Sequence, residues 1–381
     1  MKTTQIYSRR EILAAAGSAA LGLTALKYVH AAAPKPAADA GFEFALFGDV
    51  HYDKTAHHDM TWLAKEHPGD VHQVADYTRI SRDITPGLFD EVRAVIATSK
   101  VPMPFTAHIG DLVEGLCGTP ELAQRQCHDA LDLVNGSRLG NPMLLVKGNH
   151  DITGPGAHEA FDSILLPAMT APETRDPKSA SFTRLQGNTL FLFFDSYSPS
   201  SLDWAEKALE GRTSKHLIVL IHQPVVPYNA RSNWQIFAKP SQDSKRQRLL
   251  TLLGRNRAIV LTGHLHKYSA LTRKTDAGPF VQVALCSVIQ HSDMQPKDIR
   301  TGLDQYNADL VTMEPHFSPS TLQERKELLT AEKPFIRSYD YADVAGYAVL
   351  SVQDSGIKAR MYNGIGNRFW KEVDLTEMLD A

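Results

Sequence analysis

Residues 144–156 read LLVKGNHDITGPG. The apolar run Leu144–Val146 fits a buried strand, and Gly148 lets the backbone turn where a side chain would obstruct it. Three residues able to ligate or hydrogen-bond follow at once: Asn149, His150 and Asp151. By itself this is ambiguous, because Asn and Asp are ordinary turn residues. Its recurrence makes it informative. The strand-like run Phe42–Phe47 leads into GDVH (48–51), and Phe105–Ile109 into GDLVEG (110–115). His216–Ile221 ends at His222, and Ala258–Thr262 runs into GHLH (263–266).

Stretches with helical spacing at 88–97, 122–134, 202–209 and 246–253 lie among these strands, and further strands read at 189–194, before Asp195, and at 280–285. A hairpin around Asp354, Ser355 and Gly356 joins 347–352 to 357–362. Strands interleaved with helices predict an α/β fold, in which sites gather at the carboxyl ends of the strands. Residues 53–80 show no clear period and read as a loop; its His57, His58, His67 and His72 are either solvated or contact phosphate or a third metal. His108 reads as a packing residue. Tyr228, Asn229, Arg231 and Trp234 either line a substrate entrance, with Arg231 on a phosphate oxygen, or form an ordinary surface loop. The polar segment 292–335, with a helix at 321–332, is a candidate capping insertion together with His291.

The chain has 381 residues, a formal net charge of −3 and 16 histidines. No basic tract is present, so electrostatic capture of nucleic acid is not expected. Three cysteines are too few for a disulfide framework; Cys117 and Cys127 either pair or, like Cys286, stay as buried thiols. Ser8–Arg9–Arg10, an apolar stretch from Ile12 to about Leu26 and Ala31–Ala33 have the layout of an export signal, and the arginine pair resembles the twin-arginine type. The apolar stretch is shorter than the roughly 18–20 residues that span a bilayer, so a membrane anchor ranks second. The expected organisation is a signal at 1–33, a lead-in at 34–41 and one domain at 42–381. The expected location is periplasmic or secreted, with the twin-arginine export machinery as a partner and no stable membrane span in the mature form.

So many Asp, Asn and His side chains at five strand ends would be costly without a shared partner, because carboxylates repel and desolvated polar groups need satisfying. Divalent cations answer both needs. The set GDVH, GD, GNHD, H and GHLH, in this order, resembles the calcineurin-like metallophosphoesterases. The resemblance implies a four-layer α/β/β/α sandwich of two mixed sheets with two metal ions at the strand ends. It implies that Asp49, His51 and His266 hold one ion, that Asn149, His222 and His264 hold the other, and that Asp111 bridges them. Nitrogen and oxygen ligands suit divalent or trivalent Mn, Fe, Zn, Co or Ni.

The activity implied is hydrolysis of a small phosphomonoester or phosphodiester by a metal-bridged hydroxide. His150 matches the family's non-ligand histidine at the leaving oxygen, with Glu114 or Asp151 as the carboxylate that orients it. Two departures narrow the expectation. The histidine of GDVH stands where purple acid phosphatases have glycine, and GDLVE lacks their tyrosine ligand, so no iron–tyrosinate site is expected. The phosphoprotein-phosphatase motif GDxVDRG is not met. The competing readings are a nuclease of the same fold and a non-catalytic protein that binds a phosphorylated ligand.

Overall fold

Strands form where Phe, Leu, Ile and Val concentrate in short runs. The computed structural model describes residues 41–171, 174–313 and 319–381, which belong to one compact unit. The signal read at 1–33, and all of the lead-in but Gly41, lie outside the described residues. The strands are β1 (Phe42–Phe47), β2 (Thr106–His108), β3 (Met143–Leu145), β4 (Phe182–Gln186), β5 (Thr189–Phe194), β6 (His216–Ile221) and β7 (Ile259–Thr262). There follow β8 (Tyr268–Thr275), β9 (Gly278–Ala284), β10 (Lys297–Thr301), β11 (Ile336–Asp343), β12 (Gly346–Gln353), β13 (Gly356–Asn363) and β14 (Phe369–Asp374).

They make two mixed sheets, of order β14-β13-β12-β1-β2-β3 and β10-β11-β8-β9-β7-β6-β5-β4. The pairs β1–β2, β2–β3, β5–β6, β6–β7 and β7–β9 are parallel. The remaining neighbours are antiparallel.

The inner faces of the sheets meet in a core that includes Phe44, Phe105, Phe191, Leu220, Val283 and Leu350. Phe44, Phe105 and Phe191 pack ring to ring across the two sheets, with centroids 5.0–5.3 Å apart. Helices Val71–Asp83, Thr85–Thr98 and Pro120–Ser137 cover the outer face of the first sheet. Helices Ser201–Ala208 and Asp243–Arg255 cover that of the second. This is the expected four-layer sandwich. The parallel strands that carry the motifs all end at one edge of it.

Several expectations need correcting. Residues 53–80 are largely helical, with helices Met60–Glu66 and Val71–Asp83. The first is capped by Asp59, whose carboxylate accepts from Thr61 N and Trp62 N at 3.0 Å. The second buries Val74, Tyr77, Ile80 and Ser81, a stripe too narrow and polar to stand out by hydrophobic period. His57 and His58 are buried, not solvated: His58 Nε2 lies 2.8 Å from Asp53 and His57 Nε2 3.0 Å from Asp129. His67 is half-buried and His72 exposed. Cys117, Cys127 and Cys286 are all buried free thiols. Strands β4, β8, β10, β11 and β14 are additional to the sequence reading; a segment such as KDIRT sits at a sheet edge with little apolar content.

Within 292–335, β10 joins the edge of the second sheet, and helix Pro319–Glu332 packs on Ser232–Trp234. Ser232 Oγ donates to Arg325 O at 2.7 Å, and Tyr306 OH donates to Pro227 O at 2.7 Å. The segment thus braces the loop after β6 from outside. Among the described residues no helix is long and apolar enough to cross a membrane.

Candidate metal centre

The loops after β1, β2, β3, β6 and β7 approach so closely that two glycines are obligatory. A Cβ on Gly148 would stand 2.2 Å from Asp111 N and Oδ1, and one on Gly263 2.4 Å from Asp49 Oδ2. The same crowding bends non-glycine residues into left-handed backbone: Asp49 (φ 55°), His51 (46°), Asp111 (53°), His264 (73°) and His266 (54°). Each such conformation costs about 1–3 kcal/mol. Five of the seven ligand candidates carry that cost, which the surrounding packing must offset.

Asp49, His51 and His266 form one cluster. His51 Nδ1 lies 2.7 Å from Glu114 Oε2. Burial raises the Glu114 pKa, but His150 and His51 outweigh it and bring it down to about 2, so Glu114 accepts and Nδ1 carries the proton. The lone pair on His51 Nε2 then faces His266 Nε2 at 3.1 Å and Asp111 Oδ2 at 3.7 Å. His266 Nε2 is 3.6 Å from Asp49 Oδ1, which accepts His264 N at 2.8 Å. Asp49 Oδ2 is buried without a partner.

Asp111, His222 and His264 form the second cluster, with Asn149 beside them. His222 Nδ1 donates to Ile109 O at 2.8 Å, which leaves Nε2 as an acceptor in the neutral ring. It faces Asp111 Oδ2 at 3.0 Å, Asn149 Oδ1 at 3.2 Å and His264 Nδ1 at 3.2 Å. Asp111 Oδ2 therefore serves both clusters.

In each cluster acceptors point at acceptors in a buried space, an arrangement that a cation satisfies. Without a cation, protons are drawn in instead. Burial pushes Asp49 up to about 7, and Asp111 outweighs burial to push His222 up to about 9. The residues present fit two cations with nitrogen and oxygen ligands, so all seven expected ligand candidates come together at this edge.

His150 lies beside both clusters. Its backbone N–H donates to Asp111 Oδ1 at 2.8 Å, and its Nδ1 donates to Glu114 O at 2.8 Å and lies 3.3 Å from Glu114 Oε2. Burial works against a charged imidazole here, but Glu114 and Asp111 more than offset it and hold its pKa well above the ordinary value.

Asp151 does not occupy the orienting position the sequence allowed it. Its carboxylate accepts four backbone N–H groups: Leu112 and Gly148 at 2.8 Å, Asp111 at 3.1 Å and Val113 at 3.2 Å. It ties the β2 and β3 loops together, and Glu114 is the carboxylate at the His150 ring.

Four further contributors were not singled out in the sequence. Gln73 Nε2 donates to Glu114 Oε1 at 2.8 Å, and Tyr77 stacks on His51 at 4.4 Å with rings 8° from parallel. Both come from the helix hidden in the histidine-rich stretch. Tyr197 OH donates to Asn149 Oδ1 at 3.4 Å, and Asp195, just before it, forms a buried pair with Lys147 at 2.7 Å. The signal for these was an acid at the end of the TLFLFF strand.

Of the loop after β6, Tyr228 and Asn229 are fully buried, while Trp234 sits 5.7 Å from the His264 ring and under Arg231. His291 is exposed. His108 is a packing residue: it lies edge-on to Phe47, has no hydrogen-bond partner, and burial lowers its pKa to about 3.

The model of the family described as calcineurin-like phosphoesterase matches residues 42–268. No curated protein matches the chain by sequence. Among solved structures, a purple acid phosphatase, PPD1 from yellow lupin (Lupinus luteus) seeds, superposes with a TM-score of 0.54 at 11% identity, covering 90% of this chain and 55% of its own. PhoD superposes with a TM-score of 0.54 at 13% identity, covering 89% and 70%. A dimetal phosphatase from Danio rerio gives 0.52 at 12%, covering 88% and 98%. At such identities these likenesses speak to the fold, and the chain spans about half the length of the lupin protein. The motif set, the paired ligand clusters and the family match over 42–268 agree: the chain belongs to the calcineurin-like phosphoesterase family.

Proposed function

We propose that the chain hydrolyses phosphate esters of small molecules at a pair of transition-metal ions. The observation that carries this is the shared Asp111 Oδ2, 3.0 Å from His222 Nε2 and 3.7 Å from His51 Nε2. Asp49, His51 and His266 would hold one ion, Asn149, His222 and His264 the other, with Asp111 common to both. When bound, the ions supply positive charge for the phosphoryl oxygens and lower the pKa of a water.

The chain's own residues do the rest. Glu114 fixes the His51 ring so that Nε2 faces the site, and Gln73 holds Glu114 in turn. Tyr197 OH donates to Asn149 Oδ1 and so holds that side chain. His150 Nδ1–H is locked to Glu114 O, so in the charged ring Nε2 carries the proton that is free to leave. The raised pKa of its imidazole keeps that proton in place near neutral pH. It passes to the ester oxygen as the bond from phosphorus to that oxygen breaks. Asp151 acts on the backbone, keeping Asp111 and Gly148 in register.

We also propose that residues 1–33 direct the chain through the twin-arginine machinery to the periplasm or the medium. The Ser8–Arg9–Arg10 sequence and the short apolar stretch after it support this. Replacing Arg9 and Arg10 by Lys should retain the protein inside the cell; unchanged export would overturn the assignment.

The test of the activity is a panel of phosphomonoesters, linear and cyclic phosphodiesters and an oligonucleotide, on protein of measured metal content. Turnover of the small esters supports the proposal, and exclusive turnover of the oligonucleotide replaces it with a nuclease. No turnover at full occupancy leaves a phospholigand-binding protein.

A further inference from the structure

A cavity of about 300 Å³ opens beside the metal cluster. Its lining includes Gln223, Asn233, Trp234, Gln235, Phe237 and His264. His264 is one of the residues assigned above to the second ion, so the cavity begins where the phosphoryl group would end. Trp234 is 41% exposed, which is unusual for so large an aromatic, and its ring lies 5.7 Å from that of His264.

The wall is braced. Helix Pro319–Glu332 holds it through the bond from Ser232 Oγ to Arg325 O, and Ile236 N donates to Pro224 O at 2.9 Å. A pocket with an aromatic plate and a fixed frame has the features of a small-molecule subsite.

We infer that this cavity receives the alcohol part of the substrate and selects a planar aromatic group, which lies against Trp234. The inference rests on the proposed phosphoesterase reading. Trp234 is a specificity residue, distinct from the residues that carry the chemistry. Aliphatic alcohols would reach the ions without filling the cavity.

The test compares two esters whose alcohols are both primary, benzyl phosphate and butyl phosphate, in the intact chain with metals bound. The wild type should favour benzyl phosphate in kcat/KM by about tenfold, the scale of one aromatic contact. The ratio should fall to about twofold or less in Trp234→Ala and return in Trp234→Phe. Because the ratio is read, a general loss of rate transmitted through His264 cancels.

A second readout is independent of turnover. The fluorine signal of 4-fluorobenzyl alcohol should broaden with the wild type and with Trp234→Phe, and stay sharp with Trp234→Ala. Broadening without turnover of either ester keeps the aromatic site at Trp234 but defeats the phosphoesterase reading, and with it the site's assignment to a substrate's alcohol. Turnover with equal ratios in all variants and no broadening keeps that reading and overturns the inference.

Discussion

Removing the Glu114 carboxylate should loosen the ion held by Asp49, His51 and His266, although Glu114 is not among its proposed ligands. Oε2 accepts from His51 Nδ1 at 2.7 Å in a fully buried setting, and Oε1 accepts from the half-buried Gln73 Nε2 at 2.8 Å. In Glu114→Gln one oxygen becomes an N–H₂ group. Gln73 can turn its own amide to accept from it, so the His51 bond survives in neutral form. A hydrogen bond to a charged group contributes about 1.5–3 kcal/mol against about 0.5–1.5 for a neutral one. The difference of about 1–1.5 kcal/mol predicts a five- to tenfold weaker first ion. Glu114→Ala removes the bond altogether and frees the ring, so a loss of about 10–100-fold is expected. The assay is competition with a chelator of known affinity, followed by metal analysis of the protein. The second ion, held by Asn149, His222 and His264, should change less. Two ions bound at wild-type affinity in Glu114→Ala would refute the argument that His51 is aimed by its carboxylate.

The other predictions follow from single contacts. His150→Ala should retain both ions and lose rate by roughly 10²–10⁴ on alkyl phosphates, with a smaller loss on 4-nitrophenyl phosphate, whose leaving oxygen needs no proton; equal losses on both would remove His150 from that role. Asn149→Ala should lower occupancy of the second ion while the first persists, read by metal analysis against chelator concentration. Gly148→Ala would set a Cβ 2.2 Å from Asp111 N and Oδ1, so both ions should be lost together; a variant that keeps either at full affinity would contradict the shared role of Asp111. Lys147→Met leaves Asp195 buried without its cation and should cost about 3–5 kcal/mol in urea unfolding, since breaking a buried pair strands a charge.

The sequence revealed the site more fully than the frame around it, and the reason is physical. Ligands at strand ends must be Asp, Asn or His, and the close approach of loops demands Gly148 and Gly263, so the chemistry wrote itself into short motifs. The central strands were equally plain: Phe42–Phe47, Thr189–Phe194 and His216–Ile221 are buried on both sides and read as unbroken apolar runs. Edge strands such as Lys297–Thr301 are mostly exposed, and nothing in their composition marks them.

Helix Val71–Asp83 hid because its outer face is polar and its inner face is shared with the site. Tyr77 stacks on His51 there as well as joining the apolar core. Gln73, Tyr77 and Tyr197 act through contacts between residues distant in the chain, and no local spacing announces these. The choice between Glu114 and Asp151 was likewise beyond the sequence. Both are acids within a few residues of a ligand, and only the fold sends one to a histidine ring and the other to four backbone amides.

The central claim is that two ions sharing Asp111 perform the hydrolysis. Its most direct measurement is a titration of metal-stripped protein with Mn²⁺ or Zn²⁺, following hydrolysis of 4-nitrophenyl and bis(4-nitrophenyl) phosphate against bound metal. The account predicts that activity climbs as the second equivalent binds and levels off at two ions per chain. Full activity in stripped protein, or a plateau reached with one ion bound, would contradict it.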